Sequence, residues 1–294
     1  MMDKDSYRRI VSDRENREGN YREGVKEYYS LATPGYLSGW GTSFHFPPFR
    51  AGQTLEEAIS TQQHFIAREG KFGPGMKILD AGCGVGGPAI EIAKYSGSSI
   101  TGVNLVTAQL DIARDTAGRQ GLGDRCSFVE GDIMDLPFEN DYFDAVFSLE
   151  AICHTPNKHD AYSEIARVLK PGGTFIGTDW FCADSLDSSD YARLIDPVCR
   201  TYMLPYMTSI QELGGILKSV GFDVETSGNV EDLGSMEPVW NILEGFANSE
   251  MPPGLPDRDK FAFEMLSESF AVTVTAARQN AFLVGYWKST LFER

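Results

Sequence analysis

Glu150 and His154 stand four residues apart in Glu150-Ala-Ile-Cys-His154, just past the apolar run Phe143–Leu149. At that spacing a carboxylate and an imidazole share one face of a helical turn. Together they can compensate a positive charge and accept a proton. Asp80 is a second buried-strand acid, placed directly before Gly82, Gly84 and Gly86. The third group is aromatic: Trp40, Phe44, Phe46 and Phe49 in a Gly- and Pro-rich stretch, then Trp180, Phe181 and Tyr202. Aromatic faces stabilise a cation without reacting with it, by roughly 1–2 kcal/mol each when desolvated. His45 lies inside the aromatic stretch as a third, weaker candidate base.

The glycines fix where a ligand would sit. Ile78 and Leu79 read as a short buried strand, and Pro88-Ala-Ile-Glu-Ile-Ala-Lys94 begins a helix at once. Glycines at such a corner let backbone amides approach a ligand, and the helix N-terminus adds partial positive charge. A pyrophosphate there would be repelled by Asp80, whereas a cationic sulfonium and an ammonium group would not. Electrostatics therefore favours S-adenosylmethionine over a nicotinamide dinucleotide. Asn104 ends the next strand, where dinucleotide folds usually carry an acid for the ribose hydroxyls. Leu105 and Gln109 join it as candidate cofactor contacts. Glu130-Gly-Asp132-Ile133 ends a third strand; Asp132 would accept from an exocyclic amine while Ile133 packs on a purine face.

These residues need a fold with several strand ends in one place. From Met76 the pattern alternates, with strands expected at 77–81, 99–103, 126–130, 143–149 and 173–179 and helices at 87–95, 106–119 and 158–169. Alternation of this kind makes a mainly parallel α/β sheet with right-handed crossovers. Lys170-Pro-Gly-Gly173 reads as a helix stop and turn. The core is assigned to 54–182, with 1–53 as an N-terminal arm and aromatic lid segment and 183–294 as cap helices and final strands. The sparse apolar positions of residues 1–30 predict an exposed arm, which makes self-association into a homo-oligomer an expectation. A strand at Phe222–Ser227, helical stretches at 186–200, 209–220 and 236–278, and a last, antiparallel strand from Ala281 complete the sheet and its cap.

The net charge of −16 argues against nucleic acid and anionic membrane surfaces as partners. No apolar run approaches the ~18 residues of a membrane span. Five cysteines without Cys-x-x-Cys spacing suggest reduced thiols and no metal, and the charged N-terminal segment does not read as a signal peptide. A cytoplasmic protein is expected.

Asp80–Gly87, Glu130-Gly-Asp132 and Leu169-Lys-Pro-Gly-Gly173 together resemble the class I S-adenosylmethionine-dependent methyltransferases, over about residues 76–180. Gly39-Trp-Gly-x-Ser-Phe-His-Phe46, Gly82–Pro88 and Glu150-Ala-Ile-Cys-His154 resemble, more narrowly, the sterol 24-C-methyltransferase family. Asn104 also matches that family. The resemblance implies a Rossmann-like sheet and methylation of an alkene carbon in an isoprenoid: a sterol, a terpene or a prenylated natural product. The resulting carbocation can lose a proton, migrate or close a ring. Tyr28, Tyr29 and Ser43 are implied, by resemblance alone, at the amino-acid end of the donor. Asp196-Pro-Val-Cys-Arg-Thr-Tyr-Met-Leu-Pro205 departs from the family, and the C-terminal half matches only loosely. Two other readings stand beside this one: a small-molecule N- or O-methyltransferase, and a cyclase or binding protein that transfers no methyl group.

Overall fold

The structure is a computed structural model, and it describes residues 4–292. Seven strands form one sheet: β1 Lys77–Ala81, β2 Ser99–Asn104, β3 Cys126–Glu130, β4 Phe143–Leu149, β5 Leu169–Cys182, β6 Phe222–Asn229 and β7 Phe282–Leu291. Their order is β3-β2-β1-β4-β5-β7-β6. The first five run parallel, and β7 lies antiparallel between β5 and β6. Near-continuous burial of β1 and β4 explains their unbroken apolar runs, since both faces of a parallel sheet are covered.

Helices α4 (Leu55–Glu69), α5 (Gly87–Ser96) and α6 (Thr107–Arg119) cover one face, where Ile66, Ile90 and Leu110 pack against Ile78 and Phe147. Helix α7 (Lys158–Val168) and the helix Ile210–Ser219 cover the other, with Ile165 and Leu213 against Leu79 and Trp287. Chain order reverses between β1 and β4, which opens a crevice at their C-terminal ends. The glycine turn leaves β1 and Glu150 leaves β4, so both arrive at this crevice.

Three local differences from the sequence reading have physical causes. β5 begins at Leu169, not at 173: Leu169 pairs with Phe143, and a register shift before Ala145 absorbs Lys170–Gly173. Gly172, at φ 75°, makes the bend that a side chain would strain. The second difference is the N-terminus. Helices α1 (Lys4–Val11), α2 (Arg14–Gly19) and α3 (Tyr21–Gly39) are not an exposed arm but part of a buried cluster. Tyr21, Val25, Tyr28 and Ala32 form a helical stripe that packs with Met203, Trp240 and Phe270 of the cap.

The third difference is that α3 runs on through Pro34 to Gly39, beyond the residues 1–30 read as the arm. Proline has no N–H for the carbonyl four residues earlier. That carbonyl, on Ser30, instead accepts from Arg258 at 2.9 Å, and the Ser30 hydroxyl contacts the same guanidinium at 2.6 Å. The cap helix Asp257–Arg278 thus repairs the break in α3.

Arg17 ties these helices to the cap. It is 1% exposed and donates to Leu204 O at 2.7 Å, Val11 O at 3.0 Å and Asp196 at 2.7 Å. Arg17→Ala removes the donor from the carbonyls of Val11, Leu204 and Pro205 in the interior and the partner of the half-exposed Asp196. It is expected to lower unfolding free energy by about 2–4 kcal/mol in urea titrations, and Arg17→Lys, lacking the planar fork, to recover less than half of that loss.

Candidate active site

The turn after β1 is built by glycines in left-handed backbone: Gly82 at φ 95°, Gly84 at 52° and Gly86 at 82°. The amides of Gly82 and Cys83 both donate to Val103 O at 3.0 Å, folding the turn back on β2. A β-carbon on Gly82 would lie 2.2 Å from the Ala151 side chain, and one on Gly86 would lie 2.7 Å from Ala113. At Gly84 it would meet no protein atom within 4 Å. The first and third glycines therefore serve packing, and the middle one keeps a space clear.

That space opens into a cavity at the strand ends. Gly82, Gly84, Asn104, Leu105, Gln109 and Ile133 line it, as do Tyr29, Phe44, His45, Glu150 and His154. Asn104 donates to Gln109 at 2.8 Å and accepts from Leu105 N at 3.0 Å, while Gln109 donates to Thr33 of α3 at 2.9 Å. Four expected cofactor contacts are placed elsewhere. Gly86 caps α5 and is packed in. Ser43 accepts from Gln63 at 2.8 Å and faces a neighbouring cleft. Asp132 is held by Arg22 at 2.7 Å, Met134 N at 2.9 Å and Tyr21 at 3.3 Å, so its oxygens are already engaged. Asp80 is buried outside the lining; its Oδ2 has no hydrogen-bond partner, and burial holds its carboxyl far above the usual range.

Glu150 and His154 form the far wall. Glu150 sits at φ 54°, a conformation that costs a non-glycine residue on the order of 1 kcal/mol and persists only where surroundings impose it. The surroundings here are two donors, Phe46 N at 2.8 Å on Oε1 and Trp180 Nε1 at 2.6 Å on Oε2. Burial raises the carboxyl to about 8, despite these two bonds and with a small push from Asp179. Residues Ile152–His154 make a single 3₁₀ turn. Beneath it the buried Lys158 ammonium donates to the carbonyls of Ile152, Cys153 and Thr155 at 3.0, 2.7 and 2.7 Å. Asp179 accepts from Cys153 N at 2.8 Å. His154 Nε2 meets the Tyr29 hydroxyl at 3.0 Å, and its Nδ1 lies near the Met203 backbone without a well-formed hydrogen bond. Burial, with Lys158 nearby, lowers the imidazole to about 3, so it is neutral.

Glu150, His154, Tyr29 and Phe44 also line a second, aromatic chamber, closed by Tyr36, Trp40, Phe46, Trp180, Tyr202, Leu243 and Phe270. Phe46 stacks on Trp180 at 5.2 Å, and Tyr202 meets the same indole edge-on at 4.7 Å. Phe181 points to the opposite sheet face, against Trp287, because successive strand residues alternate. Phe49 is buried beside Ser235 and lies outside the chamber.

His45 is held on both ring nitrogens, by Gln62 at 2.7 Å and Gln63 at 3.0 Å. Burial lowers it to about 4, which leaves it neutral and fixed. Its carbonyl accepts from Trp40 Nε1 at 2.9 Å. The imidazole thereby sets the segment whose next amide grips Glu150. Sequence reasoning missed Gln62, Gln63, Lys158 and Asp179, and it missed Tyr36, Leu243 and Phe270 of the chamber. The seven-residue separation of Tyr29 and Tyr36, two turns of one helical face, is the signal that α3 supplies a wall.

A parallel sheet with its reversal at β1 and β4, an antiparallel β7, and a glycine cradle facing a buried carboxylate define the class I methyltransferase fold. Residues 79–177 match the family described as "Methyltransferase domain". A putative sarcosine dimethylglycine methyltransferase from Galdieria sulphuraria shares the fold, with a TM-score of 0.76 at 23% identity, over 88% of this chain and 97% of that one. Within that class the chain resembles sterol 24-C-methyltransferases. It is 44% identical over 181 residues to one from Gibberella zeae, covering 62% of this chain and 48% of the relative. It is 41% identical over 212 residues to cycloartenol-C-24-methyltransferase 1 of Oryza sativa subsp. japonica, covering 71% and 62%. The chain spans less than two-thirds of the length of these relatives. No helix among the described residues is long and apolar enough to cross a membrane.

The methyl donor of this class is S-adenosylmethionine, and the cavity suits it. Gly84 leaves room against the backbone, the unpartnered Asp80 Oδ2 lies below the turn, and no Lys or Arg lines the wall among the described residues. Glu150, raised by burial and on the cavity wall, is an acid that a bound cation would ionise. For Glu150 the sign is clear: a cation beside it lowers a free-state value of about 8, so binding releases a proton below that pH. Donor affinity is therefore expected to rise with pH, by up to tenfold per unit, and to level off above about pH 8. Calorimetry in buffers of different ionisation enthalpy reads the released proton, and Glu150→Gln is expected to remove it.

Proposed function

We propose that this protein transfers a methyl group from S-adenosylmethionine to an alkene carbon of an isoprenoid, through a carbocation that then loses a proton or closes a ring. The observation that carries this reading is the shared wall: Glu150, His154, Tyr29 and Phe44 face both the glycine-cradled cavity and the aromatic chamber. The donor supplies an electrophilic methyl group; the chain's own residues do the rest. Trp40, Phe44, Phe46, Trp180 and Tyr202 present ring faces and exclude water, which lets a weak π nucleophile be held in line and its cation survive. Trp180 is fixed from both sides, by its bond to Glu150 and its stack on Phe46.

Glu150 is assigned as the proton acceptor. Its burial-raised value near 8 matches general-base work at neutral pH once a cation ionises it, whereas an imidazole at about 3 is a poor acceptor. His154, bonded to Tyr29, orients the wall between the two spaces.

Incubation with methyl-labelled S-adenosylmethionine and a panel of sterols, prenylated indoles, amines and phenols tests the proposal. Label is expected on carbon; label confined to nitrogen or oxygen would overturn it, and tight donor binding without transfer would point to a cyclase or binding role. Glu150→Gln is expected to lower turnover by about 10²–10⁴-fold. Because binding ionises Glu150, the variant is expected to bind the donor more weakly than the wild type near pH 8, and the two affinities should converge as pH falls. His154→Ala is expected to cost roughly tenfold in turnover. Near-normal rates in Glu150→Gln would remove the assigned base.

A further inference from the structure

Lys158 opens α7, yet its side chain turns back beneath the preceding segment and is buried. It lines neither the glycine-cradled cavity nor the aromatic chamber. Its ammonium donates to the carbonyls of Ile152, Cys153 and Thr155 at 3.0, 2.7 and 2.7 Å. A protonated lysine carries three N–H donors and no acceptor, so these carbonyls use it completely. The neutral amine has two N–H donors and a lone pair. One carbonyl would then lose its donor and face that lone pair. The same turn carries His154, and Asp179 holds it from the strand side through Cys153 N at 2.8 Å. The other Asp179 oxygen accepts from Trp180 N at 2.8 Å, and the Trp180 indole donates to Glu150. Lys158 and Asp179 thus hold His154 and a donor to Glu150 in one frame.

We propose that Lys158 is a positioning residue for methyl transfer: its ammonium holds the His154 turn against Asp179, and transfer slows when the amine loses its charge. The proposal rests on the reaction assigned above. Burial lowers this lysine to about 8, so the charge is lost a little above neutrality. The groups that face it do not change charge there. Asp179 on β5 is ionised above about 6. Burial raises the Cys153 thiol, and it raises Cys199, on the helix Asp196–Thr201, to about 12. Tyr206, whose ring centroid lies 5.0 Å from the ammonium, is raised as well, and Arg14 of α2, over the same ring at 4.2 Å, stays charged. His154, lowered to about 3, is neutral throughout, and rising pH only ionises Glu150 further. A transfer rate that falls above pH 8 therefore has one source among these groups.

The first test is single-turnover transfer from saturating S-adenosylmethionine to the acceptor that the labelled panel identifies, followed from pH 6.5 to 9.5. The wild-type rate is expected to fall about threefold or more across an inflection near pH 8. Lys158→Arg stays charged and should lose the inflection while keeping the rate within about tenfold. Lys158→Met should lose about tenfold or more at every pH, with its dissociation constant for S-adenosylhomocysteine within about threefold of wild type. Loss of that binding would mark a misfolded variant, and the wild-type measurements then carry the test. The second readout needs no acceptor. In protein carrying carbon-13 histidine, the His154 ring resonance, assigned with His154→Gln, is expected to shift near pH 8 although the imidazole stays neutral. A flat wild-type rate profile, an unmoved His154 resonance, or normal turnover in Lys158→Met would overturn the role of Lys158. The outcomes separate from those of the assigned reaction. Label on nitrogen or oxygen with the inflection intact sinks carbon methylation and leaves the positioning role. Label on carbon with a flat profile sinks Lys158 alone, and if nothing is methylated the resonance decides.

Discussion

The architecture of the site depends on one buried carboxylate. Glu150 accepts from the Phe46 amide and from the Trp180 indole, and these two bonds join three parts of the chain: the aromatic segment, the end of β4 and the end of β5. An ionised carboxylate out of water is costly unless its oxygens are satisfied. The protein satisfies each with one N–H, yet burial still holds the group near 8. It is therefore poised to ionise only when a positive charge arrives. The left-handed backbone at this residue turns the carboxylate to where both donors reach it.

A second layer keeps that geometry fixed without touching either cavity's contents. Lys158 gathers three carbonyls of the turn carrying His154, and Asp179, raised by burial to about 6, takes the Cys153 amide. Gln62 and Gln63 do the same for His45 on the opposite side. Buried polar groups with partners of this kind define one arrangement of the backbone, because any other leaves a donor or acceptor unpaired. The neutral state of both histidines follows from the same burial and keeps positive charge out of a site suited to receive it.

The N-terminal helices wall the site together with the strand ends. α3 gives Tyr29 to both cavities and Tyr36 to the chamber, and its apolar stripe anchors it to the cap. Its interior proline would end many helices. Here the broken hydrogen bond becomes a docking point for Arg258, so a local defect is converted into a tertiary contact.

The strand ends and the glycine turn were legible in the sequence because each is a short-range pattern: apolar runs of strand length and glycines where a Cβ would collide. The helical turn expected from the four-residue spacing of Glu150 and His154 is not formed, since Glu150 adopts left-handed backbone ahead of a single 3₁₀ turn at Ile152–His154. The alternation of β and α also determined the sheet and its crevice, since crossover handedness leaves few other folds. Asp132 and Ser43 illustrate the limit. Their positions at strand end and loop suggested ligand contacts, but Arg22, Tyr21 and Gln63, distant in sequence, take their polar atoms. Likewise the sparse apolar positions of residues 1–30 read as an exposed arm, because composition cannot say whether a partner surface waits for them. Burial against such surfaces, which alone shifts a carboxyl to about 8 and an imidazole to about 3, was decided by the tertiary structure.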